Sequence, residues 1–248
     1  MKQIPSRALL AWLGCSAYVS VMGGKTPLDA RGVLDKTEAV LKQIKTIEYR
    51  FVQRGHKDAA DTPPKMEGRV VLAGPAKNMW VEKFRLDVKI RKPGELEAEN
   101  LTAGSDGDTV YLVDEKQKKV HADMDPAVLG SRMFTILEAV ISNFVNPDPF
   151  EYEKKAEAIE LKEPVEIGDE PCHVLRFRLG GGTNEIVWFV AQRDMLPRRI
   201  DWVFQAPGGE AMGASTVLSE IRVNPTFSSD PFKLAVPAGF TKTDEFAP

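Results

Sequence analysis

His56, His121 and His173 are the chain's only imidazoles, and Cys15 and Cys172 its only thiols. A metal centre needs several such ligands at short, repeated spacing, and none of these histidines has a partner at that spacing. Cys172 and His173 are adjacent, and neighbours on a strand point to opposite faces, so they do not form a nucleophile and base pair. Cys172 beside Val174 in an alternating pattern reads as a small buried thiol. Gly180-Gly181-Gly182 lacks the lysine and the strand-to-helix setting of a phosphate loop, and reads as a hairpin tip. Asp106-Gly107-Asp108 is too short for a calcium loop and reads as turn chemistry. No Gly-x-Ser-x-Gly elbow occurs. The chemistry-bearing residues therefore point to a non-enzymatic protein that needs neither cofactor nor metal. The lysines of residues 116–119 are flanked by acids, so no nucleic-acid footprint is present either.

The elements that would position any site are mostly strands. Ile47, Tyr49 and Phe51 alternate with polar neighbours, residues 67–73 follow, and the longest alternation sets Trp80, Phe84, Leu86, Val88 and Ile90 against Lys83, Arg85, Asp87, Lys89 and Arg91. Simple parity puts Trp80 on the apolar face with Phe84. Residues 104–124 read as a hairpin: a Ser105-Asp106-Gly107-Asp108 turn, a strand through Tyr111, a turn over residues 114–119, and a return through Val120, His121 and Ala122. Further strands fall at residues 152–161, 171–179, 184–192, 198–205 and 214–223.

Two segments have helical period. Thr26-Pro27-Leu28-Asp29 looks like a cap, a first-turn proline and an early acid, and opens an amphipathic helix of about five turns. Asp125-Pro126 opens a second, residues 128–145, whose apolar residues cover more than one stripe and whose only charges are Arg132 and Glu138. Such a helix is buried between layers or lids a cavity. Strands in runs, interrupted by helices, exclude a doubly wound fold. The expectation is mainly β with helices (α+β), an open antiparallel half-barrel of about ten strands covered by the N-terminal helix and an apolar central lid helix. Residues Trp80, Phe84, Leu86, Val88, Met133, Phe134, Leu137, Ile141, Trp188 and Trp202 are the candidates to line its cavity, unless the same side chains pack solidly.

Lys2 and Arg7 precede a short apolar run, Ala8 to Leu13, and then small residues, the layout of a secretory signal over residues 1–24, with one domain over 25–248. Cys15 leaves lipid anchoring open as the alternative. Cleavage removes two positive charges and no acid, taking the formal charge from −3 to −5. The chain is expected to be exported and periplasmic.

Several stretches, in this order, resemble the outer-membrane lipoprotein carrier superfamily of LolA and LolB type: Ile47-x-Tyr49-x-Phe51-x-Gln53, the Glu67 to Pro75 strand, the Ser105-Asp106-Gly107 to Tyr111 hairpin, an apolar helix, and Phe232-x-Leu234-x-Val236-Pro237-x-Gly239-Phe240. Gly74 stands where those carriers place an arginine, and residues 164–179 and 188–199 look more like an uncharacterised branch of predicted periplasmic proteins. The resemblance implies a half-barrel holding lipid or lipoprotein acyl chains, as a carrier or chaperone. The alternative it leaves open is a regulatory or scaffolding module that binds a membrane-associated partner protein, as in the periplasmic sigma-E regulator RseB.

Overall fold

Period-two sequences dominate, and strands dominate the fold. The computed structural model describes residues 28–58, 62–77, 80–91, 95, 97–123, 141–205, 209 and 211–244, with Lys77, Trp80 and Asp123 described by backbone alone. One helix, α1 (Ala30–Leu41), precedes β1 (Thr46–Gly55), β2 (Met66–Lys77), β3 (Trp80–Ile90), β4 (Glu99–Asp106), β5 (Val110–Asp114) and β6 (Lys119–Asp123). Then come β7 (Ala158–Ile167), β8 (Glu170–Leu179), β9 (Asn184–Ala191), β10 (Pro197–Gln205), β11 (Ala211–Val223) and β12 (Thr241–Thr243). They form one open sheet in the order β12-β6-β5-β4-β3-β2-β1-β11-β10-β9-β8-β7. Two meanders are joined where β1 pairs with β11, and every pairing is antiparallel except β12 with β6.

Among the described residues twelve strands replace the expected ten or so. β12 has no alternation to announce it; it exists because the C-terminal segment runs back along the β6 edge. The edge at β7 carries Pro164, an irregular register between Lys162 and Val165, and exposed charges, devices that discourage further pairing.

Flat, twelve strands about 4.8 Å apart would extend about 50 Å, whereas a helix of twelve residues is about 18 Å long. Yet Val33, Leu34 and Leu41 of α1 share one buried cluster with Phe84 and Leu86 of β3, Leu112 of β5, Phe177 of β8 and Ile200 of β10. The sheet must therefore curl around the helix, and its inner face carries the core. The outer face is a ladder of charge: Glu48 pairs with Arg69 and Arg222, Arg69 reaches Asp87 at 3.7 Å, and Asp87 accepts from Arg85 and from the Thr102 hydroxyl. Burial disfavours the Glu48 carboxylate, but the bonds from Arg69 and Arg222 outweigh it and hold its pKa below the ordinary value. A second, smaller core lies on the outer face, where Tyr111, Val113, Val120 and Ala122 are covered by Leu234 and Phe240.

The helix starts later than its sequence signal. Asp29, not Thr26, is the cap, its carboxylate accepting from the Gly32 N–H at 2.7 Å, and the helix ends at Leu41 after three turns rather than five. The chain must turn there for Ile44 and Ile47 both to reach the core. Asn224 secures that turn from the far end of β11: its Oδ1 accepts from the N–H groups of Lys45 (2.8 Å) and Thr46 (3.0 Å), and its Nδ2 donates to the Gln43 carbonyl (3.3 Å). Its φ of 48° is one that asparagine tolerates better than most residues. Asn224→Ala should cost about 1–2 kcal/mol in denaturant unfolding, and Asn224→Gly, which relieves the backbone, should recover part of it. An alanine variant as stable as the wild type would remove this lock from the account.

Both turns of the central hairpin form as read. Gly107 has φ 104°, Asp106 accepts from the N–H groups of Asp108 and Thr109, and Asp114 accepts from that of Gln117. The segment read as a lid helix behaves differently where it is described. Residues 124–140 lie outside the described residues, and Ser142–Phe144 is a single 3-10 turn rather than the last turn of an α-helix. Asn146, Pro147 and Pro149, with Asn143 bonded to the Pro149 carbonyl, close the chain on itself there.

Candidate functional site

Inner-face residues of β8, β9 and β10 run in rows across the sheet. Leu175 pairs with Trp188 and Trp188 with Ile200; one step along, Phe177 pairs with Ile186 and Ile186 with Trp202; next, Leu179 pairs with Asn184 and Asn184 with Phe204. β11 continues each row with Thr216, Ala214 and Met212. Alternation places Ile200, Trp202 and Phe204 on the same face. Their burial differs sharply: Ile200 is 2% exposed, Trp202 51%, Phe204 47% and Met212 60%. The core thus gives out along β10, and its apolar row continues into the open at that end of the sheet. The neighbouring positions are small, Ala214 opposite Trp202 and Gly55 opposite Ala214. The polar Gln53 Nε2 donates to the Thr216 hydroxyl at 3.2 Å just inside, so the floor is satisfied before the apolar mouth begins.

Deeper in, residues 141–156 cross the inner face as a strap. The Ile141 N–H donates to the Tyr49 hydroxyl (3.2 Å), the Phe144 ring lies 5.4 Å from that of Tyr49, and the Val145 carbonyl accepts from the Ala76 N–H (2.8 Å). Burial raises the Tyr49 pKa, so the phenol is neutral. Phe150 then packs on Phe177 at 6.3 Å and edge-on to Trp188 at 4.9 Å. Lys154 ties the strap to α1 through Glu38 (2.9 Å) and to Asp148 (2.6 Å).

Of the sequence candidates, Phe84, Leu86, Val88, Ile141 and Trp188 are buried in this core. They are buried side chains and are not exposed at the mouth. Trp202 alone of the candidates whose side chains are described stands open. Met133, Phe134 and Leu137 lie outside the described residues, as does the side chain of Trp80. The parity used for Trp80 is interrupted: Val81 and Phe84, three apart, are both in the core, opposite an irregular register between Ala73 and Ala76.

Phe204 and Met212 were missed by sequence reasoning, although the Ile200, Trp202, Phe204 alternation could have found the first. Met212 had no such signal, because its place depends on pairing with Phe204. Cys172 is a buried free thiol whose pKa burial raises, and no group of three or more His, Cys, Asp or Glu gathers at metal-binding range among the described residues. No helix of the described residues is long and apolar enough to cross a membrane.

No family model matches this sequence, and no curated protein does either. Solved structures are similar to it. Lipoprotein LppX of Mycobacterium tuberculosis is 8% identical, with 81% of this chain and 98% of that one covered and a TM-score of 0.49. The LolA superfamily protein NE2245 of Nitrosomonas europaea is 11% identical over 81% and 96%, TM-score 0.31. MucB of Pseudomonas aeruginosa, in its complex with MucA, is 9% identical, with 83% of this chain and 61% of that one covered and a TM-score of 0.42. At such identities the likeness is at most one of fold and says nothing of this chain's role.

Proposed function

We propose that this chain is an exported binding protein that holds an acyl chain, of a lipid or a lipoprotein, against the inner face of its open sheet. The observation that carries this reading is the apolar row that leaves the core at Ile200 and continues, solvent-exposed, through Trp202, Phe204 and Met212. Isolated exposed apolar residues need no explanation, but three in register on one face, continuous with the core, form a surface that a long apolar ligand would cover. An acyl chain gains about 0.8 kcal/mol for each methylene it buries, so a modest length of contact is enough for useful affinity. In this reading the protein holds its ligand and does not transform it.

Replacing both Trp202 and Phe204 by Asp tests the reading. Because these side chains are about half exposed, the melting temperature should hardly move, within about 0.5 kcal/mol for each site. Uptake of a fluorescent fatty acid should weaken by at least about tenfold. Uptake unaffected by the double substitution would remove the mouth from the binding site.

Tryptophan, phenylalanine and methionine are also residue types enriched at protein interfaces. That favours a second reading, in which a partner protein seats on the same mouth. It predicts that the double substitution abolishes partner capture while the wild type takes up no fatty acid.

A further inference from the structure

Glu153 is the one acid of the strap that faces inward, and it is 2% exposed. Its carboxylate accepts from Asn143 Nδ2 at 3.2 and 3.4 Å, and the same amide donates to the Pro149 carbonyl, so Asn143 and Glu153 pin the strap into a closed loop. Among the described residues, the elements packed around it offer no cation to its carboxylate. β8 brings the Phe177 ring and β9 the Trp188 indole, both against Phe150. The buried Trp188 N–H has no partner in hydrogen-bond geometry, yet it lies near enough to the Glu153 carboxylate to favour its charged form. α1 brings Glu38, whose charge is taken up by Lys42 and Lys154. Along the strap, Asp148 adds negative charge and is paired with Lys154, while Glu151 is paired with Lys155.

We propose that residues 141–156 form a proton-controlled strap, docked on the inner face while Glu153 is uncharged and loosened when its carboxyl ionises. Burial is the main cause that lifts Glu153 from 4.5 to about 7; its own N–H, Asn143 and Trp188 pull the other way, and Asp148 pushes it further up. A released strap would return this carboxyl to its ordinary value. A group whose docked pKa is the higher strengthens docking fully below the lower value and loses that strength as pH rises to the higher one. Docking should therefore weaken between about pH 4.5 and 7, by up to about tenfold per unit, and level off above that. Release would uncover Tyr49, Phe177 and Trp188, the inner-face side chains now under Phe144 and Phe150. The proton thus sets how much of the inner face is open, whatever that face binds.

Hydrogen exchange of the full chain, followed by mass spectrometry from pH 5 to 8 and corrected for intrinsic exchange, reads this without any ligand. In the wild type, protection of the strap amides should fall with rising pH and then level off, while β8 keeps its protection. In Glu153→Gln, whose amide is uncharged throughout, strap protection should be independent of pH. His173, on β8, has its pKa lowered by burial and by Lys36 of α1, and it is present in both proteins, so the difference between them isolates Glu153. Parallel pH profiles in the two proteins, or a loss spread equally over strap and sheet, would overturn the proposal. Should the glutamine variant fail to fold, carbon-13 titration of Glu153 in the wild type decides. A midpoint near 7 supports the strap, and one near 4.5 overturns it.

Discussion

Leu86→Asp should cost the fold about 3–5 kcal/mol, enough to leave many single domains unfolded, whereas Lys89→Ala, three residues along the same strand, should change stability by no more than about 0.5 kcal/mol. Leu86 is fully buried in the inner-face core between Val70 of β2 and Ala103 of β4. The cations of this sheet, among them Arg69 and Arg85, are committed to the ladder on the other face. A carboxylate at position 86 would have to ionise unpaired among hydrocarbons or take up a proton, and either course destabilises the native state. Lys89 points outward and is exposed. Urea denaturation of the two variants measures the contrast. Comparable losses in both would mean that the two faces of β3 are not as different as their residues.

Gly104→Val should be nearly as damaging, at roughly 3 kcal/mol, for a steric reason and not an electrostatic one. Gly104 of β4 pairs directly with Tyr111 of β5, and the Tyr111 ring lies across the glycine on the outer face. A Cβ there would stand 2.4 Å from the Tyr111 hydroxyl oxygen and 2.8 Å from the Phe84 carbonyl. The first overlap could be relieved by moving the ring, at the expense of the 3.4 Å hydrogen bond that Tyr111 donates to the Phe232 carbonyl and of the C-terminal segment that covers it. The second involves backbone and cannot be relieved without parting β3 from β4. A Tyr111→Leu background should therefore rescue part of the loss from Gly104→Ala and not all of it, a coupling that a double-mutant cycle reads directly. Strictly additive losses would contradict the packing described.

Much of this fold was legible in the residues. The alternation of β3, the Asp106-Gly107 turn and the opposed faces of Cys172 and His173 follow from local rules of period and turn chemistry, and those rules act over a few residues. What was not legible depends on distant partners. Asp29 displaced Thr26 as the helix cap because the start of α1 is set by where Val33 and Leu34 must meet the sheet. β12 arises from the return of the chain to the β6 edge, and the Asn224 lock joins residues 179 positions apart. Of the candidate site, Trp202 was visible as an aromatic in an alternating strand. Its exposure was not, because nothing local says where along β10 the core ends. Glu153 carried no sequence signal at all: an acid in a Glu-Tyr-Glu-Lys-Lys run reads as solvated until the strap is seen to turn it inward.

The claim that the open inner face holds acyl chains is tested most directly by native mass spectrometry of the protein purified from a membrane-containing host. The account predicts a fraction of wild-type protein heavier by the mass of one acyl lipid. It also predicts that this adduct is lost when Trp202 and Phe204 are both replaced by Asp, in a protein that still melts as the wild type does. A wild-type protein that emerges free of lipid, or an adduct that survives the double substitution, would contradict it.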